Sequence, residues 1–256
     1  MPNTPTDVRP RPVRTIPPRG GEISRTEVGI ALAPWRLPLA QLLDSATPTG
    51  TFSHSFGMET ALADGSIHDA ASCAAWLHCY LQTTLVYNDA LAMQLAAADP
   101  RVAQLCALSR ELSVCLMAPE ARQANSAIGR RLLQITAENF PGPLVDSLAR
   151  EAVSGRWLAH PALVMAAVGH DLAAPWQEVC ALYLHSCLTS LVQNAVRAVP
   201  LGQVAGQEVL TQLGAPIIDA VARATRADPA DLGTSGPLLD VLQCEHETQT
   251  GRMFIS

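Results

Sequence analysis

Ser53-His54-Ser55 sets two hydroxyls beside an imidazole, the residue types that nucleophilic hydrolysis employs. Neighbours in sequence rarely point at one another and no G-x-S-x-G elbow surrounds the trio, so it does not make a catalytic triad. Gly50 and Gly57 instead read as shaping a tight loop before a helix, with Glu59 near that helix's positive end; a backbone-rich loop offered to a partner is the functional alternative. Metal donors are poorly spaced. His78-Cys79 are adjacent and His185 and Cys187 stand two apart, so each pair diverges on a helix, while Cys180 and Cys187 share a face that reads as packing. Cys244-Glu245-His246 is the most accessible donor cluster, but two donors in a flexible segment do not fix a coordination sphere. His246-Glu247 begins like a zincin motif, and Thr250 stands where its second His belongs. Asp69, Asp89, Glu111, Glu120, Glu138 and Glu151 fall on separate helices without paired spacing, and no glycine-rich phosphate cradle accompanies them. The chain therefore reads as no enzyme, with no catalytic residue, no cofactor and no resident metal.

Composition narrows the classes further. All 17 basic residues are Arg. Without Lys there is no Schiff-base nucleophile and no Walker-type phosphate ligand. Charged residues make up 16% and the net charge is −6, which draws the chain neither to nucleic acid nor to an anionic membrane. Seven Cys, none in a C-x-x-C pair, argue against a disulfide framework or a zinc knuckle. The first residues show Arg and Pro rather than an apolar signal core, and a reducing, cytoplasmic setting is expected.

The elements that must position these residues are helical. Aromatics are only 4%, and Ala, Leu, Gln, Glu and Arg dominate the body. Residues 1–36, with seven Pro and six Arg, are expected to be a disordered tail that cannot offset its ordering entropy by burial. Ser66-Ile67-His68-Asp69 offers an S-x-x-D cap ahead of a helix whose Cys73, Leu77, Tyr80, Leu81 and Leu85 form one apolar stripe. That helix is expected to run on through Asp89–Ala98 and to break at Asp99-Pro100. Further helices are expected near 101–117, 119–138, 143–154, 161–170, 176–198 and 203–224, punctuated by Pro and Gly. The uncharged runs Ala70–Asn88 and Val179–Val196 are long enough to span a bilayer, but polar residues such as His185, Gln193 and Asn194 favour a bundle interior. After Ala227 the chain reads as irregular and mobile. The expected architecture is an all-α, single-domain bundle of about ten helices over 37–227, with irregular tails at 1–36 and 228–256.

Four segments, in order, resemble the urease accessory protein UreF family. Pro48-Thr49-Gly50-Thr51-Phe52-Ser53-His54-Ser55-Phe56-Gly57-Met58-Glu59 is similar to that family's P-x-G-x-F-S-[HY]-S-x-G-[LM]-E. Glu120, Arg122, Gly129, Arg130, Arg131, Leu132 and Leu133 resemble its E-x-R…G-R-x-L-L helix, and Pro200-Leu201-Gly202-Gln203 with Gln207 its P-L-G-Q-x-x-x-Q turn. His246-Glu247-Thr248…Arg252-Met253-Phe254-Ile255-Ser256 resembles its H-E-T…R-L-F-x-S ending, with Met253 where Leu is usual. The resemblance implies a homodimeric chaperone or scaffold for nickel insertion that binds UreD (UreH), recruits the GTPase UreG and serves apo-urease. It further implies partner contacts through Pro48, Gly50, Phe52, Ser53, His54, Ser55, Gly57 and Glu59 of the loop and through His246, Glu247, Arg252 and Phe254 of the ending, with Arg252 as a forked, charged anchor. A nickel-carrying metallochaperone and a GTPase-activating regulator of UreG are the alternatives.

Overall fold

Proline sets where four of the eleven α-helices among the described residues begin. A computed structural model describes residues 32–199 and 201–256. Pro119, Pro143, Pro161 and Pro237 stand in the first turns of helices α6 (Pro119–Asn139), α7 (Pro143–Val153), α8 (Pro161–Asp171) and α11 (Pro237–His246). A fixed φ suits that position and the missing N–H is not needed there. The other helices are α1 (Arg36–Leu42), α2 (Met58–Ala63), α3 (Ala70–Tyr80), α4 (Leu91–Ala98), α5 (Val102–Cys115), α9 (Trp176–Ala198) and α10 (Gln203–Ala224). Among the described residues there is no strand. The expected disordered head, 1–36, lies outside the described residues as far as position 31, and Arg36 already opens α1.

Asp69 starts α3, but its partner differs from the predicted Ser66. The Asp69 carboxylate accepts from the Ser72 N–H at 2.8 Å, while the Ser72 hydroxyl accepts from the Asp69 N–H at 3.0 Å. The box therefore runs forward from Asp69, satisfying two donors at the helix start. From there the backbone continues to Ala98 without a break, but Leu81–Ala90 widens into π-helical winding between α3 and α4. The whole predicted stripe, Cys73, Leu77, Tyr80, Leu81 and Leu85, is buried.

Helix α8 is the centre of the body. Ala162, Leu163, Val164, Met165, Ala167 and Val168 are all fully enclosed, so the helix is apolar on every side rather than along one stripe. It packs against α4, α6, α7 and α9, and α9 in turn carries α10. Gly129 lets α6 lie directly on the chain entering α8, because a Cβ there would overlap the Ala159 carbonyl group. Helix α9 is long and apolar enough to cross a membrane, but 56% of its most apolar window is buried inside the bundle.

The C-terminal segment corrects the expectation of an irregular, mobile ending. Residues Pro237–His246 form α11, which lays Leu239, Leu242, Gln243 and His246 against α2 and α6. Beyond it, Phe254 and Ser256 are buried as well.

Candidate functional site

The loop after α1, the start of α6 and the C-terminal ending meet at one place. Gly50 and Gly57 both sit in the left-handed region, at φ +86° and +89°. Gly57 is also crowded, since a Cβ would lie 3.1 Å from Gln243 Cγ and 3.2 Å from the Gln243 backbone nitrogen on α11. Glycine is thus needed there for φ and for close approach together. Three side chains from the helices fix the loop by its carbonyls: Arg131 donates to Pro48 O at 3.2 Å, Arg197 to Phe52 O at 2.7 Å and Asn194 to His54 O at 2.8 Å. Arg197 also lies 5.4 Å from the centre of the Phe254 ring and 6.0 Å from that of Phe52, joining loop and ending.

Glu59, in the first turn of α2, is almost wholly buried. One of its oxygens accepts from the Met253 N–H at 2.5 Å, the other from the Phe254 N–H at 3.0 Å and from His246 Nε2 at 2.9 Å. His246, 1% exposed, turns its Nδ1 to Glu120 at 2.7 Å, and the Arg252 guanidinium holds the other Glu120 oxygen at 2.6 Å. The ending is completed by Ile255 N–H donating to Ser53 O at 2.7 Å and by Ser55 and Phe56 N–H groups donating to Ser256 O. The result is a clasp in which Glu59–His246–Glu120–Arg252 ties α2, α6 and the ending together. Charge-assisted bonds of this kind are about twice as strong as neutral ones.

The expected contact residues therefore fall into two sets. Ser55, Gly57, Glu59, His246 and Phe254 face inward, as does His54, whose ring meets Ser256 Oγ at 2.8 Å rather than either neighbouring serine. Burial holds the His54 imidazole below its ordinary value, so it stays neutral. Pro48, Gly50, Ser53, Glu247 and Arg252 are exposed and Phe52 half-exposed. Arg252, expected as a forked anchor for a partner, instead gives one nitrogen, Nη1, to Glu120 of the same chain. Sequence reasoning missed Asn194 and Arg197; a fully buried amide on an otherwise apolar helix was the available signal, because such a group must find a partner. It also missed Met253 and Ile255, which are 60% and 64% exposed on either side of buried Phe254. Gln203 and Gln207 of the third segment are exposed on α10, and Pro200 lies outside the described residues. Among the described residues no three His, Cys, Asp or Glu side chains converge as a metal site.

Burial pushes the Glu120 carboxyl up, but hydrogen bonds from His246 and Arg252 outweigh it and hold the group below its ordinary value. A lowered acid contributes stability that is present above the unfolded value and lost as pH falls through the folded one. Acidification from neutrality through the carboxylate range is accordingly expected to loosen the ending before the body unfolds. Hydrogen exchange at Met253 and Phe254 as a function of pH checks this, and in Glu120→Gln the acid step at those amides should become smaller.

The clasp is assembled from three of the four family-like segments. The UreF family model matches residues 67–214. A urease accessory protein UreF from Arthrobacter sp. (strain FB24) is 41% identical over 226 residues, covering 88% of this chain and 99% of that protein. The chain belongs to the UreF family. Proteins of the same description from Corynebacterium glutamicum (strain R) and Lachnoclostridium phytofermentans are 39% and 34% identical, each covering at least 85% of this chain and 96% of its own length. Those relatives are named as accessory proteins rather than as enzymes.

Proposed function

We propose that this chain is a cytoplasmic, non-catalytic scaffold for nickel insertion into apo-urease, acting as a homodimer that binds UreD (UreH) and recruits the GTPase UreG. Family membership supports the urease role. The observation that carries docking at the ending is the clasp, because it orders a segment that otherwise has little to bury. With Phe254 inserted, Met253 and Ile255 are held outward beside Ser53, forming an apolar pair on a fixed backbone. An ordered apolar pair is a better anchor than the same residues on a free tail, since the ordering cost is met within the chain. Nucleotide state would then alter nickel affinity in the GTPase, with the scaffold fixing the geometry of its partners.

The test is co-expression with tagged UreD and UreG. Met253→Ser with Ile255→Asp leaves the clasp residues in place, so the fold and thermal stability should be kept while recovery of the three-component complex falls about ten-fold, the scale expected for losing central anchors. Undiminished recovery from a folded variant would remove the ending from the docking surface.

A further inference from the structure

A second feature of the bundle plays no part in the clasp. A cavity of about 90 Å³ runs from the Asp44–Phe52 side of the loop into the body, and its deep wall is the π-helical segment. Such winding is rare and concentrates at functional sites. Thr84, Asn88 and Asp89 line this wall, facing Tyr183 of α9 and His160, which precedes α8. All but Tyr183 of these polar residues are hydrogen-bonded incompletely. Tyr183 donates to one Asp89 oxygen at 2.7 Å. Asn88 spends its amide hydrogens on the Thr84 and Thr234 carbonyls, leaving Oδ1 without a partner, and Thr84 Oγ and His160 Nδ1 have none either. Thr84, Asn88, Asp89 and His160 are each at least nine-tenths buried. Unsatisfied groups at such depth are costly unless something meets them.

The charge balance says what that something is. Asp44 at the mouth and Asp89 at the end are both acids, no Arg lines the cavity, and the chain contains no Lys. Burial raises the Asp89 carboxyl, opposed by His160 and the Tyr183 hydrogen bond, while burial lowers the His160 imidazole and keeps it neutral. The free groups are therefore a carboxyl, an amide oxygen, a hydroxyl and an imidazole nitrogen, all able to accept. Leu85, Leu112, Ile128 and Leu132 give the cavity apolar wall, interspersed with polar side chains such as Asn125, Ser186 and Ser190. A metal ion needs converging anionic or imidazole donors, which the described residues do not supply. An ammonium head needs only acceptors and one counter-ion, and apolar walls suit a hydrocarbon body.

We propose that this cavity binds a small primary amine, its ammonium held by Asp89, Asn88 Oδ1 and the Thr84 or His160 acceptor, its short alkyl or arylalkyl body along the apolar walls. In the complex the Asp89 carboxylate is the counter-ion of the bound ammonium. The full chain is titrated with n-butylamine and benzylamine, with 1-butanol and benzyl alcohol as uncharged mimics, at constant ionic strength. Saturable binding with a raised Tm is expected for the amines only, weakened about ten-fold or more by Asp89→Asn, since a charge-assisted bond is lost. Thr84→Val, nearly isosteric, is expected to weaken it several-fold and serves should the first variant fail to fold. Absence of saturation, equal binding of the alcohols, affinity unchanged in the variants, or stoichiometric displacement of the amine by Ni²⁺ would each overturn the assignment.

Discussion

Glu59→Ala is expected to lower the free energy of unfolding by about 3–5 kcal/mol, the range for removing one partner of a buried ion pair. Glu59 is 7% exposed and its side chain serves three donors at once: His246 Nε2 and the N–H groups of Met253 and Phe254. Alanine leaves all three without an acceptor in a place water barely reaches. The ending then keeps the Glu120 contacts of His246 and Arg252, the backbone pairings of Ile255 and Ser256 with the loop, and buried Phe254, but none of these supplies an acceptor for the Met253 and Phe254 N–H groups. Urea denaturation at pH 7 measures the loss, and amide exchange at Met253 and Phe254 should accelerate far more than exchange in α8. Glu59→Gln keeps an oxygen acceptor but not the charge, so its cost should fall between wild type and alanine. A change under about 1 kcal/mol in the alanine variant would mean the clasp is a surface ion pair in energetic terms.

The same variant separates two roles of the ending. If the clasp orders Met253 and Ile255 for a partner, Glu59→Ala should reduce complex recovery although Glu59 itself touches no partner. The double substitution at Met253 and Ile255 should reduce it without loss of stability.

Much of the body was legible because its signals are local. Pro119, Pro143 and Pro161 mark helix starts through their own φ, and the stripe from Cys73 to Leu85 declares its buried face through spacing alone. Helix α11 was hidden because it is ten residues long and its inward face mixes Leu239 and Leu242 with Gln243 and His246, so no clean apolar period appears. The π-helical turn was hidden for the opposite reason: Leu81–Ala90 sits inside a continuous helical stretch with no Gly or Pro to announce a change of winding. At the site, the residue types and their segments were readable, but their pairing was not. Glu59 and His246 are 187 positions apart, and each looks like a surface polar residue until the fold removes both from water. That is also why the ending was assigned wholly to partners: a His, a Glu and an Arg in a polar tail carry no local mark of internal use.

Gly129→Ala is the second large effect, and its interest lies in its sign. Within a helix, replacing Gly by Ala ordinarily stabilises by about 0.5–1 kcal/mol, because alanine gives up less backbone entropy on folding. Position 214 of α10 obeys that rule: a Cβ there meets nothing within 4 Å, and Gly214→Ala should gain up to about 1 kcal/mol. At position 129 the new methyl would collide with Ala159 C and O and press on His160 N, which are backbone atoms with no rotamer to yield. Either α6 lifts off α8 or the chain entering α8 is displaced, and overpacking of that kind costs about 1–3 kcal/mol, set here toward the upper end by the rigidity of the obstacle. His160 follows Ala159 directly and lines the cavity, so displacement there should also weaken amine binding, whereas Gly214→Ala leaves it unchanged. Parallel urea melts of the two variants decide the matter: opposite signs support close backbone packing between α6 and α8, and a gain at both positions would show that this contact is loose in solution.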